Sequence, residues 1–290
     1  MLRIAILANP VSGSGDIDAK TALLRPAADR LNAPIVGLDT RSEAEFIDCA
    51  RSLTGEVDVI AVAGGDGTFS QIMNAVDTTR VGLAYFPLGS GNALSYALGI
   101  RGLSFEAIAD RIRRLPMRAL DLIDCGGRRR AFMASVGLEG AALALRDKHT
   151  VAGRSRFSAY VRASLDAYFK TYKPRPAQID VDGETHLTTR LLSALIVKQP
   201  YYGFGMNVAP KARFDDGRLH TLIVDSGWIG TALLVAEAFT IGNRVGRYRS
   251  GEAAVIRSDS PLRLQYDGEL GWEATAFDFR VLPGALTVAG

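Results

Sequence analysis

Val59-Ile60-Ala61-Val62-Ala63-Gly64-Gly65-Asp66-Gly67-Thr68 runs from a short β-branched apolar segment straight into a glycine-rich turn. Phe69, Ile72, Met73 and Val76 then recur at helical spacing, so the order is buried strand, tight turn, helix. Gly82-Leu83-Ala84-Tyr85-Phe86-Pro87 repeats the strand, Gly89-Ser90-Gly91-Asn92 the turn, and Ala93, Leu94, Ala97 and Leu98 the helical stripe. Upstream, strand-like runs at 4–8 and 35–38 alternate with helical patterns over 19–31 and 42–53. This alternation predicts a parallel sheet with right-handed crossovers, which brings every glycine turn to the carboxyl edge of the strands. The expectation is an α/β N-terminal domain over residues 1–120.

Without a Cβ the backbone can approach an anion closely, and the unpaired amides at the next helix start point towards it. Phosphate is the natural guest, and an ordinary tight strand-to-helix turn is the alternative. Asp66 favours the first reading. A carboxylate among phosphate-directed amides repels the ligand unless it helps to hold a cation or accepts a proton. Thr68 sets a hydroxyl beside it.

From residue 121 onward the pattern changes to short β-rich runs at 131–136, 178–181, 191–198, 219–224, 253–257, 262–266 and 277–281. Helical patterns over 156–172 and 231–241 interrupt them. The expectation for 121–290 is a mostly antiparallel β-sandwich domain. Composition fits a soluble globular chain: 48% of residues are hydrophobic, 22% are charged, and no run of about 18 apolar residues is long enough for a membrane span. The first residues enter a strand without the form of a secretory signal, so a cytoplasmic location is expected. Cys49 and Cys125 make no CxxC pair, and His149, His186 and His220 lack zinc-ligand spacing. A net charge of +3 is too small to imply nucleic acid, although Arg111, Arg113, Arg114, Arg118 and Arg128-Arg129-Arg130 concentrate positive charge. Such clusters are either solvated faces or weak docking points for an anionic membrane. There is no GxxxxGK[ST] loop, GxSxG elbow or HExxH motif.

The order of the motifs resembles the diacylglycerol kinase catalytic-domain family, which includes bacterial lipid kinases and sphingosine kinases. Asn9-Pro10-Val11-Ser12-Gly13 is similar to its opening loop, Gly64 to Thr68 to its GGDGT signature, and Pro87 to Asn92 to its second glycine turn. Gly203-Phe204-Gly205-Met206, Ala209-Pro210, Asp215-Asp216-Gly217 and Asp267-Gly268-Glu269 resemble landmarks of its second half. The resemblance covers nearly the whole chain and implies an ATP- and Mg²⁺-dependent kinase that phosphorylates a lipid hydroxyl of diacylglycerol or a sphingoid base in an interdomain cleft.

The resemblance implies nucleotide contacts from Asn9, Thr40, Gly64, Gly65, Asp66, Gly67, Thr68, Ser90, Gly91 and Asn92, with turn and capping roles as the rival for Asn9 and Thr40. It implies Glu269 as general base, with Asp66 in the catalytic set. It further implies Mg²⁺ near Asp66, helped through water by Asp121, and a structural cation at Asp216 and the carbonyls of Arg213 and Arg218. Asp182-Gly183-Glu184 has the same three letters as Asp267-Gly268-Glu269, so those letters alone do not mark a base. Two departures concern the acceptor and metal surroundings. Ala93 follows Asn92 where bacterial members carry aspartate, a wording closer to sphingosine kinases, and Glu139 stands where they carry aspartate. A NAD kinase, whose superfamily shares GGDGT, and a nucleotide- or lipid-binding regulator without turnover remain as alternatives. A lipid substrate and peripheral membrane contact are the expected partners, and the oligomeric state is not legible.

Overall fold

Four apolar runs of the first half become parallel strands, and their register positions the loops that follow them. In this computed structural model, which describes residues 2–149, 166 and 170–290, β1 (Ile4–Ala8), β2 (Ile35–Val36), β3 (Val59–Gly64) and β4 (Gly82–Pro87) lie in the order β4-β3-β1-β2. β1 and β3 are buried along their whole length, as for parallel strands covered on both faces. Ala8 pairs with Ala63, and Ala63 with Phe86, so the chain leaves these strands at one level. The loops starting at Asn9, Gly65 and Leu88 therefore share the carboxyl edge.

The intervening helices are α1 (Ile17–Leu31), α2 (Glu43–Leu53), α3 (Asp66–Ala75), α4 (Ala93–Ala97) and α5 (Phe105–Arg114). Asp16, Ser42 and Ser104 cap α1, α2 and α5 by accepting from the amides of Ala19, Glu45 and Ala107. Apolar periodicity in the sequence does not reveal α5. Only Ile108, Ala109 and Ile112 of that helix are buried, a stripe too narrow to stand out among arginines. Arg111, Arg113 and Arg114, read as a basic cluster, form its last turn, where the exposed carbonyl ends favour cations.

These elements form a first unit of Met1–Leu120 together with Gly284–Gly290. The expected second domain thus gives its last residues back to the first. Val288 pairs in parallel with Leu83, the Ala289 amide donates to the Leu83 carbonyl at 2.9 Å, and Thr78 Oγ1 donates to the Ala285 carbonyl at 2.9 Å. Leu286, Val288 and Ala289 are buried. The physical reason is the outer edge of β4, whose polar backbone the returning strand covers.

The second unit, Asp121–Pro283, is built mostly of antiparallel strands. The described strands lying wholly or mostly within it are β5 (Arg118–Cys125), β6 (Arg129–Ala131), β7 (Met133–Gly137), β8 (Arg175–Val181), β9 (Glu184–Leu191), β10 (Ser193–Val197), β11 (Tyr201–Tyr202), β12 (Met206–Asn207), β13 (Leu219–Val224), β14 (Arg247–Gly251), β15 (Ala253–Tyr266) and β16 (Glu269–Val288), whose last residues belong to the first unit. The two runs expected at 253–257 and 262–266 are one strand, β15, with a register shift between Arg257 and Leu262. The shift changes its partner: Ala254 to Arg257 pair with β8, and Leu264 to Tyr266 with β7. The core between includes Ile123, Val136, Ile179, Ile196, Ile256 and Phe277. Among the described residues this unit includes the helices α6 (Leu138–His149) and α7 (Trp228–Thr240). Most of the helix expected over 156–172 lies outside the described residues. Among the described residues no helix is long and apolar enough to cross a membrane.

Candidate active site

The two glycine turns touch backbone to backbone. A Cβ on Gly89 would lie 2.6 Å from the Gly65 Cα, and one on Gly64 would lie 2.6 Å from the Thr68 Cβ, so neither position admits a side chain without movement. The amides of Leu88 and Gly89 both donate to the Gly64 carbonyl, at 2.8 and 3.3 Å. The opening loop joins the same edge. Gly13, at φ +74°, passes close enough that a Cβ would sit 2.7 Å from the Leu88 carbonyl oxygen. Asn9 Nδ2 donates to Thr68 Oγ1 at 2.9 Å, Ser12 Oγ lies 3.1 Å from the same oxygen, and Asn9 Oδ1 accepts from the Val11 amide at 3.0 Å.

Gly65 stands at the N-cap of α3 and offers no side-chain cap, leaving first-turn amides at Asp66, Gly67 and Thr68 for another acceptor. Asp66 turns away from its own helix. Its carboxylate accepts from the amides of Ala93 at 2.7 Å and Leu94 at 3.1 Å, and so caps α4. The Tyr85 hydroxyl lies 3.4 Å from Asp66 Oδ1 and 3.1 Å from Asn92 Oδ1, with one proton to give. Asn92, in the left-handed region at φ 43°, donates from Nδ2 to the Gly89 carbonyl at 2.6 Å. Burial pushes the Asp66 carboxyl up, against the downward pull of the Leu94 and Ala93 amides and of Tyr85. Burial and the neighbouring Asp66 hold the Tyr85 hydroxyl well above its ordinary range.

The structure thus gathers Asn9, Gly64, Gly65, Asp66, Thr68 and Asn92 into one bonded cluster. Gly67 lies in the first turn of α3, and Ser90 and Gly91 form the tip of the second turn, with Ser90 exposed. Thr40 follows β2, and its hydroxyl donates to the Gly37 carbonyl at 2.7 Å, closing its own turn. Tyr85 and Lys20 were not singled out by the sequence reading. Lys20, 4% exposed in α1, donates from its ammonium to the Pro10 carbonyl of the opening loop. Its signal was a lysine inside an apolar helical stripe.

In the second unit, Asp267 and Gly268 have φ of 46° and 82° and turn β15 into β16, which Glu269 opens. The Asp267 carboxylate accepts from the amides of Phe132 at 3.1 Å and Met133 at 3.0 Å, fixing the turn against the start of β7. Asp182-Gly183-Glu184 is built alike: φ is 50° at Asp182 and 87° at Gly183, and the Asp182 carboxylate accepts from the amides of Glu252 and Ala253. The glutamates differ. The Glu184 side chain is 76% exposed and lies 3.5 Å from the Arg249 guanidinium, whereas Glu269 is half-buried. Burial raises the Tyr266 hydroxyl, Arg129 opposes this, and the Glu269 and Asp267 carboxylates add to it.

Asp121 and Asp216 meet at an ammonium group. Lys198 Nζ lies 3.0 Å from Asp121 Oδ2 and donates to Asp216 Oδ1 at 2.7 Å and to the Arg218 carbonyl at 2.6 Å. Asp121 Oδ2 also accepts from the Gly217 amide at 2.7 Å, and the Asp121 amide donates to the Phe214 carbonyl. The Arg213 amide donates to His220 Nε2 at 3.2 Å. Among the described residues no group of three or more His, Cys, Asp or Glu side chains is arranged to hold a metal ion. Asp66 offers a single carboxylate whose oxygens already accept from the Ala93 and Leu94 amides, so it would suit only an ion that keeps most of its waters. Glu139 accepts from Ser193 Oγ at 2.6 Å, and burial pushes its carboxyl up against that bond.

The chain is similar to known proteins in sequence and in fold. Residues 3–125 match the family described as the diacylglycerol kinase catalytic domain, and residues 133–290 match the YegS C-terminal NAD kinase beta sandwich-like domain. A Chromohalobacter salexigens protein named "Probable lipid kinase YegS-like" is 32% identical over 265 residues, covering 87% of this chain and 80% of that protein. The structure of a diacylglycerol kinase from Bacillus anthracis str. Sterne superposes with a TM-score of 0.77 at 19% identity, over 99% of this chain and 96% of that one. An NAD kinase from Archaeoglobus fulgidus, solved in complex with ATP, shares the fold at a TM-score of 0.53 and 11% identity, over 100% of this chain and 94% of its own. The chain belongs to the diacylglycerol kinase catalytic-domain family of lipid kinases.

Proposed function

We propose that the chain transfers the γ-phosphate of ATP to the hydroxyl of a lipid, diacylglycerol or a sphingoid base. The observation that carries this reading is the contact of the Gly64-Gly65 turn with Gly89, beneath the uncapped first turn of α3. That first turn supplies amides to the donor phosphates, with Asn9, Thr40, Thr68, Ser90, Gly91 and Asn92 bordering the nucleotide. Asp66 positions the second turn by capping α4. A magnesium ion bound with ATP would neutralise phosphate charge, and Asp66 is the carboxylate that would hold it through water.

The acceptor oxygen attacks the γ-phosphorus, the bond to the oxygen bridging the β- and γ-phosphorus breaks, ADP leaves, and the acceptor proton passes to the Glu269 carboxylate. A lipid acceptor also requires contact with a bilayer. α7 supports such contact by turning Trp228, Ile229, Leu233 and Phe239 outward, each 46% exposed or more, with exposed Arg244 just beyond.

The test is transfer of labelled γ-phosphate to diacylglycerol, monoacylglycerol, sphingosine, ceramide and NAD. A labelled lipid is expected, with Glu269→Gln reducing turnover by about 10²-fold or more and Glu184→Gln leaving it unchanged. Label on NAD instead would move the chain to the NAD kinase reaction. Measurable ATP binding with no labelled product would favour a binding protein.

A further inference from the structure

We infer that the Lys198 ammonium is the resident cation of the loop preceding β13, in place of the divalent ion that the family resemblance implies there. Lysine has three N–H donors. Here they meet three oxygens: Asp121 Oδ2 at 3.0 Å, Asp216 Oδ1 at 2.7 Å and the Arg218 carbonyl at 2.6 Å. The side chain is 0% exposed, so water does not compete for any of them.

Two of these oxygens, the Asp216 carboxylate and the Arg218 carbonyl, belong to residues expected to ligate the metal. A magnesium ion would need them at about 2.0–2.1 Å and a calcium ion at about 2.3–2.6 Å. Either ion would sit on the ammonium, and like charges at that separation repel strongly. Occupancy is therefore exclusive.

The lysine is held from behind as well. It follows β10, and its amide donates to the Phe132 carbonyl at 2.8 Å, so its stem starts from a fixed point. Asp121 comes from β5, while Asp216 and Arg218 lead into β13, with His220 Nε2 3.0 Å from Asp216 Oδ2. One positive group thus joins three segments of the second unit. A metal would perform the same task, but a covalently attached cation is not lost on dilution or chelation.

The test uses the full chain without nucleotide, and its readouts are thermal midpoint and bound metal. The wild-type midpoint is expected to move by less than ~1 °C between EDTA and millimolar Ca²⁺ or Mg²⁺, because the site already holds its charge. Lys198→Met leaves two carboxylates without their cation and is expected to lower the midpoint by roughly 10 °C. Lys198→Ala vacates space as well as charge, and Ca²⁺ or Mg²⁺ is expected to restore part of its loss, an effect abolished by adding Asp216→Asn. A wild-type chain that loses stability in EDTA and retains Ca²⁺ or Mg²⁺ through gel filtration, with both behaviours absent in Asp216→Asn, would overturn the inference. So would a Lys198→Met chain as stable as the wild type. No phosphoryl transfer is measured, so the result stands apart from the kinase proposal.

Discussion

At the scale of single residues, side chains read as chemistry turn out to hold backbone as well. Asp66 was singled out as a carboxylate amid phosphate-directed amides, and its oxygens accept the first amides of α4. Asp66→Asn keeps one acceptor oxygen and loses the other, so it is expected to cost about 1–2 kcal/mol in chemical denaturation besides its effect on transfer. Glu139 supplies a pH test. Burial raises its carboxyl, while Ser193 and Ser135 donate to it and Tyr172 lies near enough to feel its charge. A carboxyl with a raised folded pKa binds its proton more tightly folded than unfolded, so its contribution is present at low pH and is lost as pH rises through the raised value. Glu139→Gln mimics the protonated form. Its midpoint should match the wild type near pH 4 and exceed it by a margin that grows as pH rises through the raised value and then levels off, and a constant difference would count against this reading. Residue types single out Asp66 in the sequence, and Glu269 is singled out only by the family resemblance, its role as base being part of the proposal. The Lys198 pairing was not legible, because Lys198 stands 77 positions from Asp121 and 18 from Asp216, and no local spacing links them.

At the scale of elements, the glycine turns show that their composition reflects close approach more than unusual dihedrals. Gly89 has no positive φ, yet a Cβ there would meet the Gly65 Cα at 2.6 Å. Gly89→Ala is therefore expected to cost about 1–3 kcal/mol as an overpacked contact and to weaken ATP binding at least tenfold in a calorimetric titration. Retention of wild-type ATP affinity would separate the turn from the nucleotide. α7 was legible as an apolar helical pattern, but which way its apolar residues face was not. Ala238 is its buried residue, while Trp228 and Ile229 are 65% and 66% exposed. Replacing Trp228 and Ile229 with serine should reduce sedimentation with anionic vesicles while leaving the thermal midpoint within a degree or so. Unchanged sedimentation would remove α7 from the membrane contact. α5 was missed for the opposite reason, since its arginines outnumber the apolar stripe that defines the helix.

At the scale of the whole molecule, the return of Gly284–Gly290 to the first unit is the feature least visible in the chain. Removing 284–290 would expose the outer edge of β4 and the contacts of Leu286 and Val288. Hydrogen exchange should then accelerate through β4 while β1 stays protected, and unchanged β4 protection would show that the strand does not depend on its last neighbour. Strand-turn-helix order, the parallel sheet of the first half, the β-rich second half and the identity of the glycine turns were all present in the sequence by itself. These follow from local periodicity and from residues whose geometry is their own, glycine above all. Tertiary structure alone decided that Asp66 caps α4, that Lys198 neutralises Asp121 and Asp216, and that the final strand pairs with Leu83. Each of these joins positions distant in sequence. Their energy comes from burial and from hydrogen bonds completed only when separate segments meet, and no periodicity along the chain records it.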